Sequence, residues 1–304
     1  MTKGWLTALA REIFRWYLRR FPLRDGKAWC YKHVHHLLAP SAGKVAVRLV
    51  RGFVMRLNLA DPDQRRMYFY GDYDERREAD LITRVLTPGQ VFWDVGANIG
   101  YYTLLAAARL ENTGEVVAFE PQAAAWEQLT MNLSLNFFTQ VRTIQAAVTD
   151  RAGEACLYAA GGRADGRANL FQAGTGQTAC QQVQTLTLDG WRADTGAAGP
   201  DFIKLDVEGA ELAALRGARE TLASCAPLLL VEIKEAICRA LGQGPHAIYD
   251  FLGELGYRPA GLHRGRWRLG REPAAISGRN VLFLNPDLPS HRERAAQARV
   301  RGLS

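Results

Sequence analysis

Residues 91–121 limit the fold more than any other stretch of this chain. Val91–Val95 is apolar except for Asp94, Gly96-Ala97-Asn98-Ile99-Gly100 makes a glycine-bearing turn, and a helix is predicted over about 100–110. Glu115–Glu120 reads as a second strand. Gln122–Asn136 reads as a second helix, with Trp126, Leu129 and Leu133 on one face. Near-continuous apolar strands alternating with helices predict a parallel sheet covered on both faces. Val141–Val148, Phe202–Val207 and Pro227–Ile233 continue the strands; a helix follows the second of these to about Ser224, and His246–Leu255 reads as another. Residues 154–160 and 183–188 are predicted as additional strands around a mobile loop, 161–180, and Asn280–Leu284 as a late strand. The fold class is therefore α/β and doubly wound, with right-handed crossovers. Its ligand crevice lies beyond the carboxyl ends of the strands, where their order reverses.

The turn after the first strand carries the chemistry. Gly96 permits a backbone conformation that a Cβ hinders and lets a ligand approach closely. Ala97 and Asn98 follow, Gly100 allows close helix–strand contact, and Tyr101 opens a helix whose first N–H groups are free for a ligand. In a dinucleotide-binding protein those groups would meet pyrophosphate, but the loop is G-x-N-x-G rather than G-x-G-x-x-G. Asp94, just ahead of the glycines, repels pyrophosphate and suits the cationic amino-acid end of S-adenosylmethionine. Glu120 ends the second strand, where an acid accepts two hydrogen bonds from ribose hydroxyls and excludes a 2′-phosphate. A lone acid at a strand end is more often a helix cap or surface charge. Asp94, Gly96 and Glu120 together point to a methyl-donor site. An NAD-dependent oxidoreductase is the alternative, and Asn98 stands where its extra glycine would be. Asp150, in Val148-Thr149-Asp150, reads either as a partner for the adenine amino group or as a turn-former before Gly153.

Lys204, Asp206 and Glu208 alternate at the end of the fourth strand and so share a side. Charges in so apolar a strand are costly unless used or paired. Asp206 is expected beside the transferred methyl, taking a proton from an acceptor hydroxyl directly or by holding a divalent metal. Lys204 pairs with it or lowers the pKa of the acceptor oxygen. The plainer alternative is a structural ion pair, with Glu208 charging a helix N-terminus. Glu232 ends the fifth strand and either faces the substrate or caps the next helix. Tyr70, Tyr73, Tyr101 and Tyr102 are expected to flank the cleft, and His246 reads as a helix start rather than a base.

The flanks are less informative. Residues 5–21 form an amphipathic helix with Trp5, Leu9, Ile13 and Trp16 on one face and Arg11, Arg15 and Arg19 on another. It either packs on the main domain, the favoured reading, or lies on an anionic membrane surface. Residues 44–60 look like a hairpin around Arg51-Gly52, and 74–86 like a helix. No apolar run is long enough to span a bilayer, and charges interrupt the N-terminal stretch, so a cytoplasmic location is expected. The formal charge is +7, with arginines concentrated in residues 11–56 and in the tail from Arg264 to Arg301. No motif for nucleic acid accompanies it, and none is expected as a partner. A non-catalytic module docking through the basic ends on membrane or nucleic acid is a third reading. Five scattered cysteines without a C-x-x-C pair suggest reduced thiols rather than a disulfide framework. Three segments are expected: an extension over 1–68, a domain over 69–285 and a basic, disordered tail over 286–304.

The segments Phe69–Glu75, Val91–Tyr102, Ala118–Pro121, Leu129–Asn136, Ala147–Gly153, Thr185–Asp189, Ile203–Glu211 and Val231-Glu232, in that order, resemble the FkbM-type methyltransferases. The resemblance implies a seven-stranded class I methyltransferase sheet, mostly parallel, with its last strand antiparallel. It implies S-adenosylmethionine as cofactor and a small-molecule acceptor, methylated on a hydroxyl of a sugar, polyketide or other secondary metabolite. Donor-binding roles carry over to Asp94, Gly96, Asn98, Gly100 and Glu120. The Lys-x-Asp-x-Glu-Gly stretch is intact as Lys204, Asp206, Glu208 and Gly209.

Overall fold

The computed structural model describes the chain except for residues 1, 22–24, 41–42, 160–167, 170–179, 243, 245, 271–278 and 303–304. The chain forms two compact units, Met1–Arg76 and Arg77–Ser304. The boundary falls after Arg76 rather than at 68/69. The turn beyond the last helix of the first unit is tied into that unit, with buried Asp72 paired to Arg51 at 3.1 Å.

In the first unit, α1 (Thr2–Arg20) and α2 (Lys27–Leu38) precede the hairpin β1 (Lys44–Arg48) and β2 (Val54–Asn58) and the helix α3 (Pro62–Tyr70). The strands pair antiparallel, Lys44 opposite Asn58 and Arg48 opposite Val54. Asp61 caps α3 through Gln64 N–H, and Pro62 fills its first turn, where a missing N–H costs nothing. Phe14 of α1 meets Phe69 of α3 edge to face at 5.7 Å. Lys27 Nζ donates to the carbonyls of Leu18 and Phe21, satisfying the end of α1. The stripe of Trp5, Leu9, Ile13 and Trp16, expected to pack, instead faces solvent. The packing face of α1 is the opposite one, where Leu18 is buried.

The second unit runs α4 (Arg76–Val85), β3 (Val91–Val95), α5 (Tyr101–Leu110), β4 (Glu115–Phe119), α6 (Ala123–Ser134) and β5 (Val141–Ile144). Next come β6 (Ala147–Val148), β7 (Gly153–Ala159), β8 (Ala168–Asn169), β9 (Cys180–Leu186), α7 (Leu188–Thr195) and β10 (Phe202–Leu205). They are followed by α8 (Glu211–Arg216), α9 (Arg219–Cys225), β11 (Leu228–Glu232), α10 (Glu235–Ala240) and α11 (Ala247–Glu254). The unit ends with β12 (Arg258–His263), β13 (Arg266–Leu269), β14 (Asn280–Leu284) and α12 (Pro289–Gln297). The main sheet has the order β13-β12-β14-β11-β10-β3-β4-β5. β5, β4, β3, β10 and β11 are parallel, and β14 runs antiparallel to β11 and to β12. This is the expected class I methyltransferase sheet with one difference: it has eight strands rather than seven. The added strand is β13, which folds back on β12 through Arg264-Gly265. The arginine-rich alternation of residues 258–269 lacks the apolar signature of the buried strands and hid the hairpin.

Every residue of β10, β11 and β14 is buried. Trp93 and Phe119 both meet Trp191 edge to face, at 5.4 and 5.1 Å. The predicted third strand, 141–148, divides. Its first half joins the main sheet as β5, and its second half, β6, pairs with β9 in a four-stranded sheet of order β6-β9-β7-β8. Most of the 161–180 loop lies outside the described residues. Cys156 on β7 and Cys180 on β9 form a disulfide with Cα atoms 5.4 Å apart, a correction to the expectation of reduced thiols. The antiparallel register brings them together by setting Cys156 opposite Gln182 and Tyr158 opposite Cys180. Residues after 286, expected to be disordered, hold α12. Buried His291 accepts from Asn285 N–H and contacts the Ala226 carbonyl through Nε2, and Arg294 pairs with Asp201 at 2.6 Å. Among the described residues no helix is long and apolar enough to cross a membrane.

Candidate functional site

The strand order reverses between β3 and β10, the place where sheets of this kind open a crevice. A pocket with about 630 Å³ of atom-free space, part of it continuous with solvent, lies there. Its walls are Gly96 and Asn98 after β3, Phe119–Gln122 after β4, Ala146–Val148 and Leu157 from the second sheet, and Asp206–Glu208 after β10.

Backbone geometry builds the β3–β4 half. The N–H groups of Gly96 and Ala97 both donate to the Phe119 carbonyl. Gly96 has φ 85°, and a Cβ there would sit 1.8 Å from the carbonyl oxygen of Asp206, so only glycine lets this loop rest on β10. Asn98 adopts φ 48°, and its N–H donates to Glu120 Oε2 at 2.7 Å. Glu120 Oε1 accepts from Gln122 N–H at 2.9 Å. Glu120 is thus held in the pocket wall by two backbone donors, each oxygen keeping a lone pair for a ligand. Burial, which outweighs those two bonds, pushes its carboxyl up to about 7. The Asn98 N–H is spent on Glu120, which removes a donor that a pyrophosphate would need. At Gly100, φ 91°, the neighbour is the Leu129 side chain of α6.

Asp94 stands behind this half rather than in it. It is buried outside the pocket lining, accepts from Thr103 Oγ1 at 2.6 Å, and its Oδ1 has no partner among the described residues. Burial raises its pKa, against the pull of Lys204. Ala97, Gly100 and Tyr101 also lie outside the lining and act by shaping the loop. Asp150 does not reach the pocket: it is exposed in a turn closed by Thr149 and Arg151, the turn-forming alternative. The pocket wall in this part of the chain is apolar instead, made of Ala146, Ala147, Val148 and Leu157. Tyr70 and Tyr73 belong to the first unit. Tyr101 and Tyr102 are buried and pack edge to face at 5.2 Å. His246 occupies the N-cap position of α11, as a helix start.

Charge dominates the β10–β11 half. Lys204, almost wholly buried, donates to Asp206 Oδ2 at 2.9 Å and lies over the Tyr102 ring at 5.0 Å. Glu208 holds a left-handed conformation, φ 52°, at a turn closed by Glu211, whose carboxylate accepts from Val207 and Gly209 N–H. Oxygens of Asp206, Glu208 and Glu232 come within 4.8 Å of one another. Lys234, which the sequence reading missed, sits among them, with Nζ 2.5 Å from Glu208, 2.7 Å from Glu232 and 3.9 Å from Asp206. Its signal was available: Glu232 and Lys234 are two apart at a strand end, the same alternation as Lys204, Asp206 and Glu208. The donor set of Asp206, Glu208 and Glu232 would suit a hard cation, and a divalent metal at Asp206 would have to displace the Lys234 ammonium that lies among these oxygens.

The charges here set one another's protonation. Burial works against the ionised form of Asp206, but Lys204, Glu232 and Lys234 together hold it well below the usual carboxylate range. Glu232 goes the other way, to about 8, through burial and then the adjacent Asp206. Two close carboxyls share one proton in this manner, and the proton resides on Glu232. Despite burial, the charges of Asp206 and Glu232 raise the Lys234 ammonium above its usual value.

The methyltransferase FkbM domain matches residues 94–259. Hexuronic acid methyltransferase AglP of Haloferax volcanii is 26% identical over 167 residues, which are 54% of this chain and 65% of that protein. The chain thus spans just under two thirds of that relative's length. A methyltransferase FkbM from Methylobacillus flagellatus superposes with a TM-score of 0.43 at 18% identity, covering 65% of this chain and 44% of that one. TYW2 of M. jannaschii, solved with AdoMet, gives 0.41 at 13% identity, covering 80% of this chain and 85% of that one. With more than half its length matched by one domain, from Asp94 to Pro259, this chain belongs to the FkbM methyltransferase family.

Proposed function

We propose that the chain transfers a methyl group from S-adenosylmethionine to a hydroxyl of a small-molecule acceptor, a sugar, polyketide or other secondary metabolite. The observation that carries the reading is the Gly96 loop resting on the Asp206 carbonyl, with Glu120 turned into the same pocket. The likeness to a hexuronic acid methyltransferase favours a sugar among the acceptor classes.

The pocket fits the donor chemically. Gly96 leaves room for close approach, Glu120 offers free lone pairs to ribose hydroxyls, and Phe119, Ala147 and Leu157 give a flat base an apolar enclosure. The unpartnered Oδ1 of Asp94 supplies negative charge behind the loop, favouring a ligand with a cationic end. When bound, the donor supplies a methyl group made electrophilic by its sulfonium.

Asp206 lines the pocket and receives the acceptor hydroxyl as a hydrogen-bond donor. A carboxylate held so far into its ionised form is a weak base by itself. With its upper value near 8, the Asp206–Glu232 pair still carries one proton at neutral pH, so it takes another from the acceptor only in its minor, fully ionised form. Lys204 and Lys234 fix both carboxyls, and positioning of the acceptor oxygen supplies much of the remaining rate.

Calorimetry with S-adenosylmethionine, followed by transfer of a labelled methyl group to a panel of sugars, tests the reading. Glu120→Ala is expected to weaken donor binding roughly tenfold or more. Asp206→Asn is expected to bind donor normally and lose turnover by about 100-fold or more. Donor binding unchanged in the first variant, or turnover retained in the second, contradicts the assignment.

A further inference from the structure

The first unit leaves a face of α1 uncovered. Trp5, Leu9, Ile13 and Trp16 fall within about 80° of the helix circumference, and each is more than half exposed. Trp29 and Leu37 of α2 are exposed still further, at 65% and 67%. Of the ten large apolar side chains exposed among the described residues, seven lie within residues 5–37. A patch so concentrated is out of keeping with a freely soluble surface and marks an interface.

Charge identifies the partner. Residues 1–48 contain ten lysines and arginines and two acids, whereas the whole chain has 38 and 31. All of the net positive charge therefore resides in the segment that bears the apolar stripe, and the rest of the chain is close to neutral. Two copies meeting through this face would bring like charges together, which disfavours self-association. Arg11 and Arg19 are turned inward onto the carbonyls of Leu38, Tyr68 and Phe69, but Arg20 and Lys32 stand exposed. Tryptophan and aliphatic side chains on one helix face, with basic residues at its margins, suit the boundary between acyl chains and anionic headgroups.

We propose that α1 and α2 dock this chain on an anionic lipid surface, lying in its plane with Trp5, Leu9, Ile13 and Trp16 seated below the headgroups. The docking stands apart from methyl transfer, because none of these residues lines the donor pocket.

Flotation of the full chain with vesicles of phosphatidylcholine, alone or with a third of phosphatidylglycerol, tests this. The bound fraction is expected to be roughly tenfold higher on the anionic vesicles and to fall as salt screens the attraction. A triple variant, Trp5→Glu, Leu9→Glu and Trp16→Glu, is expected to lose roughly tenfold in vesicle binding. It should retain its circular dichroism spectrum and its affinity for S-adenosylmethionine. Arg20→Glu with Lys32→Glu, which leaves the apolar stripe intact, is expected to weaken binding to the anionic vesicles only. Equal binding to both vesicles, or none, overturns the proposal. So does a wild-type dimer that the triple variant converts to a monomer.

Discussion

The two halves of the pocket are built by different means. At the ends of β3 and β4 the backbone does the work: a glycine that tolerates no Cβ, and a carboxylate pinned by two N–H groups. At the ends of β10 and β11 three carboxylates and two ammonium groups stabilise one another, and any member depends on the rest. The first half is specified by local sequence and tolerates few substitutions at few positions. The second is specified by the meeting of two strands distant in sequence and responds to the loss of any charge.

Gly96→Ala is the most severe way to test that contrast. Its Cβ would collide with backbone rather than a movable side chain, so stability is expected to fall by more than about 4 kcal/mol in urea denaturation. Gly100→Ala, which meets only the Leu129 side chain, should cost about 1–2 kcal/mol. Equal costs would show that the loop is not held by the Asp206 carbonyl.

Lys234→Met addresses the other half. Removing the cation from this partly buried cluster leaves Glu208 and Glu232 poorly compensated, with Lys204 still paired to Asp206, and should cost about 3 kcal/mol. Lys234→Arg should recover part of this. A chelator should leave wild-type turnover unchanged; loss of turnover that Mg²⁺ or Mn²⁺ restores would put a metal where the ammonium stands.

The disulfide shows that the first half is not wholly a matter of the turn, since Cys156 adjoins Leu157 in the pocket wall. Alkylation of the denatured chain without reductant should label Cys30, Cys225 and Cys238, and reduction should expose the other two. Closing a loop with a separation of 24 residues is worth about 3 kcal/mol, which reduction should remove. Labelling of all five thiols before reduction would mean the pair is open, as expected in a reducing compartment.

The smallest effect is one of pH. The folded-state value of Glu120, about 7 against 4.5 for the free side chain, means that the folded chain binds the extra proton. The associated stability is fully present below pH 4.5 and lost as pH rises through 7. Glu120→Gln should remove a decline on the order of 2 kcal/mol between those values in melting experiments. A residual slope continuing to about 8 is expected from Glu232.

What could be read from the sequence follows the same division. The β3 turn was legible because Gly96, Gly100 and Glu120 act through local backbone rules that hold in any context. Lys234 offered only its alternation with Glu232, and a lysine at a strand end looks like surface until Asp206 and Glu208 are placed beside it. Asp150 stayed open between two uses, because a strand-end acid can also serve its own turn. On α1 the periodicity was correct but the face was not: apolar spacing shows that a stripe exists, not what covers it. Cys156 and Cys180 meet only through strand register across a long insertion, which spacing does not reveal.

The Gly96 loop and the Asp206 peptide touch, so neither can move alone. Any effect that filling one half has on the free energy of filling the other holds by the same factor in both directions. An acceptor that sharpens donor affinity is then itself gripped more tightly once the donor is in place. Under the proposed function, positive coupling of this kind would favour the ternary complex over either partly filled state and limit loss of the activated methyl to water.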